Sequence, residues 1–490
     1  MDPRLILTVM VLYFGALLTI SYITSKGADS DAFFTGNKQS PWYLVAFGMI
    51  GTSISGVTFI SVPGAVGGGQ FSYFQIILGQ VLGYLVIILV LMPLYYRLNL
   101  VSIYTYLEQR LGFWAYKSGS GFFLLSRTIG SSLRLYLAAE VLQLFLFDKW
   151  HVPFIVTVTV TILLIWIYTF KGGIKTIVWT DSFQTIFLVS SLIVSVYLIS
   201  QQLGWSLFEM ADKVAESDYS KIFFFDDVKS SKYFFKNFVA GAFIAIVMTG
   251  LDQDLMQKNL TCKNIKEAQK NMYSFTAISV VVNLLFLTLG ALLYIYCSAK
   301  AISLPARPDD LYPTLALNHF GMFAGLCFLL GIIASSYASA DSALAALTTS
   351  FCIDFLDFKN KDEKQKQKQK FIVHVGFSLI FLLIIVVFKE YNEQSVITSV
   401  LKMASYTYGP LLGLFAFGLL TKRAIDDQWY TTLMICIASP LLTLLITSNS
   451  ETLLWGYKFS FEILPLNGLI TFLGLLVISR KGMGAMVNGH

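Results

Sequence analysis

The chain is poor in charge. Of its 490 residues only 13% are Asp, Glu, Lys or Arg, while 56% are hydrophobic. A soluble domain carries roughly 25% charged residues. The composition therefore excludes a soluble globular protein, a disordered protein and a nucleic-acid-binding protein. Histidine and cysteine are also scarce. The four His (His151, His319, His374, His490) are scattered, which leaves haem or zinc chemistry without support. The five Cys (Cys262, Cys297, Cys327, Cys352, Cys436) show no CxxC spacing and mostly sit in apolar runs, where they read as small buried hydrophobes.

What the chain has in abundance is long uncharged runs. A helix needs about 20 apolar residues to cross a bilayer. Thirteen stretches qualify, numbered here from span 0: 5–23, 41–66, 71–96, 118–147, 152–170, 176–201, 238–256, 272–297, 318–353, 371–388, 395–420, 429–447 and 461–479. Residues 39–96 carry no charge at all, and the cluster Gly64, Gly67, Gly68, Gly69 divides them into spans 1 and 2. Span 8 is long enough to be bent or broken. Span 0 exceeds a signal-peptide core and has no clear small-residue cleavage site, so it reads as a true span. Nothing before span 0 or after span 12 is long enough to fold separately. The expectation is one membrane domain, 1–490, with no attached soluble domain.

The net charge of +6 reports topology rather than an acidic partner. Lys and Arg concentrate in cytoplasmic loops. With the N-terminus outside, 21 of the 35 basic residues fall in inside loops, 11 fall outside, and Arg127, Arg134 and Lys402 lie within spans. Five of the 11 sit in the long mixed-charge segment 202–237, and long segments cross largely regardless of charge. The chain is expected in the cytoplasmic membrane, N-terminus out and C-terminus in. The lysine-rich run 359–370 then reads as a solvated cytoplasmic linker.

Polar groups at membrane depth cost free energy unless paired or hydrated, so they mark function. Span 1 contains Gly51-Thr52-Ser53-Ile54-Ser55-Gly56-Val57-Thr58-Phe59. It suits either an unwound helix whose carbonyls and hydroxyls bind sodium, or a small-residue packing face. Span 8 places Ser335, Ser339 and Ser342 on one helical face beside Asp341, which favours a cation site over simple packing. Asp181 lies about one and a half turns inside the apolar run of span 5, which weakens the alternative of an N-terminal helix charge favoured by the macrodipole. Arg127 and Arg134, seven residues apart, share a face of span 3. Their partner is either Glu140 or an anionic substrate, and Arg127 alternatively snorkels to the headgroups. Lys402 is a gate charge or an ion-pair member.

These residues resemble the sodium:solute symporters, the family of the sodium–glucose, proline, iodide and sialic acid transporters. The likeness rests on Gly172–Gln184 (GGIKTIVWTDSFQ), Gly250–Lys258 (GLDQDLMQK) followed by Ala268, Tyr337–Asp354 (YASADSALAALTTSFCID) and Ser405–Arg423 (SYTYGPLLGLFAFGLLTKR), in the family's order over nearly the whole chain. It implies an all-α polytopic membrane protein of about thirteen helices with a five-plus-five inverted-repeat (LeuT-like) core. The first repeat would be 41–201 and the second 238–420, with an extra N-terminal helix (5–23) and two extra C-terminal ones (429–479). The opposite orientations that the basic residues give spans 1 and 6 agree with such a repeat.

Carried over position by position, the resemblance implies a shared sodium site from Gly51, Ile54, Ser335, Ala338 and Ser339. It departs at Ala338, where the family usually has a hydroxyl. Some members hold a second sodium, whose counterparts here are Asp181, Asp341 and Ser342. Asp341 stands where a serine is often found, so this chain would gain a carboxylate. Two close carboxylates repel unless a cation or proton lies between them. For the substrate, Ser53, Ser55 and Thr58 match positions used by sialic acid transporters. Phe59, Tyr73, Gln75, Gln80 and Asp252 are further contact candidates. Arg134, ahead of Arg127, is the candidate partner of a substrate carboxylate.

The expected activity is sodium-coupled import of a small organic solute by alternating access, first an anionic sugar or carboxylate, then a neutral sugar or polyol, then an amino acid. Sodium is the coupling ion and no cofactor is expected. The partners are the solute, sodium and the bilayer, with a monomer as the working unit. No nucleophile–base constellation points to an enzyme. A channel would need a continuous polar stripe or filter ring, which is not seen; a nutrient sensor on the same fold remains a further alternative.

Overall fold

The computed structural model describes residues 3–26, 30–169, 173–356, 358, 361–391, 396–425, 430–453, 457 and 459–480. Lys171 and Gly172 of the span 5 opening, Lys359 and Lys481 lie outside them. Each of the thirteen apolar runs is mainly helical where described.

Helix α1 (Pro3–Thr24) covers the first run, and a short α2 (Ser30–Thr35) follows. The uncharged stretch after it folds as α3 (Trp42–Ser53), α4 (Gly56–Gly69), α5 (Tyr73–Val86) and α6 (Met92–Arg97). Between α3 and α4 the backbone is extended at Ile54 (φ −86°, ψ 77°) and Ser55 (φ −73°, ψ 174°). As a result, among the described residues, the carbonyls from Gly51 to Ile54 accept no bond from the N–H four residues on. The turn into α5 falls at Gln70 (φ 53°), just past the predicted glycine cluster.

Next come α7 (Thr105–Leu111), α8 (Phe113–Leu142), α9 (Phe154–Thr169), α10 (Gly173–Leu203) and α11 (Leu207–Ala215). In the 202–237 segment, α11 starts at a capping box of Ser206 and Glu209. A second broken span follows: α12 (Phe234–Ala245), a π-turn at Ile246–Gly250, then α13 (Gln253–Asn259), bent by 67°. Every residue of α13 is buried. The remainder is α14 (Ile265–Ala299), α15 (Leu311–Asn318), α16 (Met322–Asp354), α17 (Glu363–Tyr391), α18 (Val396–Thr407), α19 (Gly409–Leu420), α20 (Thr431–Ser448), α21 (Ser450–Leu453) and α22 (Ile463–Ile478). α18 and α19 meet at 46°. A two-residue antiparallel ribbon joins Ala424–Ile425 to Ser479–Arg480.

Among the described residues seven helices are long and apolar enough to cross a membrane, or nine if each bent pair is one span; α3, α9 and α22 are shorter apolar helices. Two expectations change. From Met322 onward span 8 is one unbroken helix, α16, packed against α8 and α10 and against both halves of span 1. Its small residues allow this close packing. The lysine-rich run, read as a solvated linker, is largely exposed but helical from Glu363 onward.

Candidate functional site

The break in span 1 opens onto a cavity among α5, α8, α14 and α18. Thr52, Ser53, Ile54, Ser55 and Thr58 line it, with Tyr73, Gln80 and Tyr84 from α5. Arg127 and Arg134 enter from α8, Thr249 from the π-turn before α13, Ser279 and Asn283 from α14, and Ile397, Val400 and Leu401 from α18. Gly56 lets the break approach α16: a side chain there would meet the Ser336 hydroxyl at 2.2 Å.

The two arginines of α8 have different surroundings. Arg127 is buried and ion-paired with Asp254, with Asp252 at 3.8 Å. Arg134 makes no hydrogen bond or ion pair among the described residues, and its side chain lines the cavity. Glu140, the partner weighed for them, instead binds Arg307 at 3.3 Å near the end of α8. Lys402 faces a separate groove beside α20.

The residues expected to form a shared sodium site lie on α3, at the break and on α16. The freed carbonyls of Gly51 and Ile54 are hard oxygens. Ser335 and Ser339 donate back to Ile332 (3.0 Å) and Ser336 (2.9 Å), which keeps their oxygens available as acceptors. Ala338 offers no side-chain oxygen. This donor set fits a hard monovalent cation. Gly51 also allows close approach to α10, its N–H meeting the Thr185 hydroxyl at 3.1 Å.

The three residues assigned to a second sodium point to three different partners. Asp181 accepts at Oδ2 from the Lys258 ammonium, and from the Thr52 hydroxyl at 2.9 Å. Lys258 donates to Thr52 as well. Asp341 accepts from the Tyr168 hydroxyl at 2.9 Å and lies in electrostatic reach of Asp181 and Lys258. Ser342 donates to Asp254. Asp181 Oδ1, Asp341 Oδ1 and Gln184 Oε1 keep no hydrogen-bond partner. Removing one member of a buried ion pair costs about 3–5 kcal/mol, because the other charge is left behind.

Three substrate candidates turn elsewhere. Phe59 packs with Phe286, Tyr312 and Phe328 (centroids at 5.7, 5.3 and 5.6 Å). Gln75 donates to the carbonyls of Ser72 (3.2 Å) and Lys232 (2.9 Å). Asp252 caps α13 and accepts from the Tyr408 hydroxyl at 2.5 Å. Ser53, Ser55, Thr58, Tyr73 and Arg134 do meet at the cavity.

Lys258 was expected in an inside loop; it is 1% exposed. A charge inventory held the clue. Asp181, Asp252, Asp254 and Asp341 all lie within or at the edge of apolar runs, and two intramembrane arginines are too few to neutralise them.

Comparison with known proteins fits this geometry. The sequence model of the sodium:solute symporter family matches residues 33–428. The chain belongs to that family. This symporter is 24% identical to the sodium/sialic acid symporter NanT of Aliivibrio fischeri, over 84% of its own length and 82% of the relative's. It is 26% identical to the sodium-coupled monocarboxylate transporter 2 of Bos taurus, over 81% of its length and 64% of the relative's. Its fold matches the substrate-bound, outward-open structure of a Na+-coupled sialic acid symporter with a TM-score of 0.83 at 19% identity, covering 97% and 99% of the two chains. The nucleobase-cation-symport-1 family transporter Mhp1 follows at 0.54 and 13%, covering 91% and 93%.

Proposed function

We propose that this symporter imports a small carboxylate-bearing solute, foremost an anionic sugar such as sialic acid, together with sodium. The observation that carries the reading is the unpaired Arg134 guanidinium in a cavity lined by hydroxyls and amides. A carboxylate pairs with such a fork bidentately. The hydroxyls and amides of Ser53, Ser55, Thr58, Gln80 and Asn283 suit the polar body of a sugar. The names of the relatives point the same way: sialic acid, monocarboxylate and, for a human relative 23% identical, iodide are all anions.

Sodium, in this reading, sits between the span 1 break and α16 on Gly51, Ile54, Ser335, Ala338 and Ser339, stabilising the outward-open state and ordering the break. Solute then binds, the bundle closes over it, and separation of span 1 from α16 releases the ion inward. The chain forms one transport domain of thirteen spans, with repeats at 41–201 and 238–420. It acts as a monomer in the cytoplasmic membrane, N-terminus out and C-terminus in. The two broken spans, α3–α4 and α12–α13, take equivalent places in the two repeats, which supports that division.

Uptake into proteoliposomes under an imposed inward sodium gradient tests the proposal. The expected result is concentrative uptake of labelled sialic acid, collapsed by a sodium ionophore and inhibited by carboxylates. Inhibition by neutral hexoses with indifference to carboxylates would overturn the anion assignment.

A further inference from the structure

We propose that Lys258 is a built-in counter-cation filling this symporter's second cation site, so that one sodium ion, not two, accompanies each solute molecule. The inference rests on the sodium-coupled reading above.

The residues assigned to a second sodium do not fit one. Lys258 donates to both Asp181 and Thr52, so the positive charge that Asp181 requires is already in place. Ser342 donates to Asp254, and Asp254 pairs with Arg127, so this hydroxyl is tied to the α13 ion pair. Asp341 takes its hydrogen bond from Tyr168 on a different side of the cluster. Asp181 Oδ1 and Asp341 Oδ1 are left without hydrogen-bond partners, but both carboxylates lie in electrostatic reach of the Lys258 ammonium, which would repel an arriving sodium.

The geometry also explains why the ammonium is permanent. Lys258 projects from α13, beyond the 67° bend of the broken span, and α13 is buried along its whole length. Sodium can leave to the cytoplasm; a lysine on a packed helix cannot. Lys258, Thr52 and Asp181 tie the half-helices of both broken spans to α10. The ammonium thus performs the organising task of a second ion without drawing on the sodium gradient.

Direct counting of 22Na+ bound to the purified full-length protein tests this. Wild type is expected to bind one sodium per chain with a Hill slope near 1, and Ser339→Ala to lose it. Lys258→Gln frees Asp181 and is expected to bind a second sodium. The charge-balanced double variant Asp181→Asn/Lys258→Gln guards against misfolding of the single one and is expected to bind one. Two ions per wild-type chain, one of them lost in the double variant, would overturn the inference. So would a folded Lys258→Gln that still binds one. Absence of any sodium binding by wild type would instead overturn the sodium-coupled reading beneath it.

Discussion

Arg127 and Arg134 stand on one face of α8, and the proposed substrate site rests on the difference between them. An intramembrane arginine is tolerated when it is paired or hydrated. Arg127 is paired, with Asp254 and Asp252. Arg134 makes no hydrogen bond or ion pair among the described residues and lines the cavity, so its charge is available to a ligand. Hydrogen bonds to charged groups contribute about 1.5–3 kcal/mol, and roughly 1.4 kcal/mol is tenfold in affinity. Arg134→Gln is therefore expected to raise the KM for an anionic solute about 10- to 100-fold while 22Na+ binding stays unchanged. Arg134→Lys should recover part of the loss, because it keeps the charge but not the planar fork. Arg127→Gln should behave differently. It strands two buried carboxylates, so it should lower the melting temperature and the folded yield, whatever solute is offered. Uptake kinetics together with melting of the detergent-solubilised variants separate the two roles.

The helices are held by small residues where backbones meet. Gly79 and Gly83, a GxxxG pair on α5, face Gly241 on α12. A side-chain carbon would come within 1.9 Å of the Phe238 carbonyl oxygen at Gly79, 2.3 Å of Ala242's at Gly83 and 2.1 Å of Ile76's at Gly241. With no room for a Cβ, the two helices pack backbone to backbone. Gly83→Val should force them apart and destabilise the protein by at least the ~1–3 kcal/mol typical of overpacking. Gly15→Val on α1, where nothing lies within 4 Å, should melt like wild type. Element positions were legible because run length and hydrophobicity govern insertion, and the span 1 break was legible in its Gly and Ser content. The faces of elements were less so. Thr58 and Phe59 are adjacent and so point about 100° apart on a helix; only Thr58 reaches the cavity. Tyr73 and Gln75 divide in the same way. Lys258 was hidden by its neighbours. Lys263, Lys266 and Lys270 follow it at the end of an apolar run, and local sequence alone makes it the first residue of a basic loop. The bend after Gly250 folds α13 back into the protein and puts that lysine on Asp181, a contact 77 residues away in the chain.

At the scale of the whole molecule these assignments fix how much charge crosses the membrane per cycle. A carboxylate solute carries one negative charge, and a single sodium balances it. Lys258, Asp181 and the Arg127 pairs stay with the protein. If the built-in ammonium replaces the second sodium, transport is electroneutral and draws only on the sodium concentration gradient. With two sodium ions, one net positive charge would move inward. One charge through 100 mV corresponds to about 2.3 kcal/mol, and at about 1.4 kcal/mol per factor of ten that changes the accumulation ratio about 50-fold. Proteoliposomes clamped with potassium and valinomycin read this directly. With a fixed sodium gradient, imposing 100 mV, inside negative, is expected to leave the steady-state accumulation of labelled sialic acid unchanged in the wild type. A rise approaching 50-fold would mean that a second sodium crosses, and that Lys258 serves only to pair Asp181. A fall of similar size would mean that the anion crosses without sodium balancing its charge, which removes the basis for sodium coupling itself.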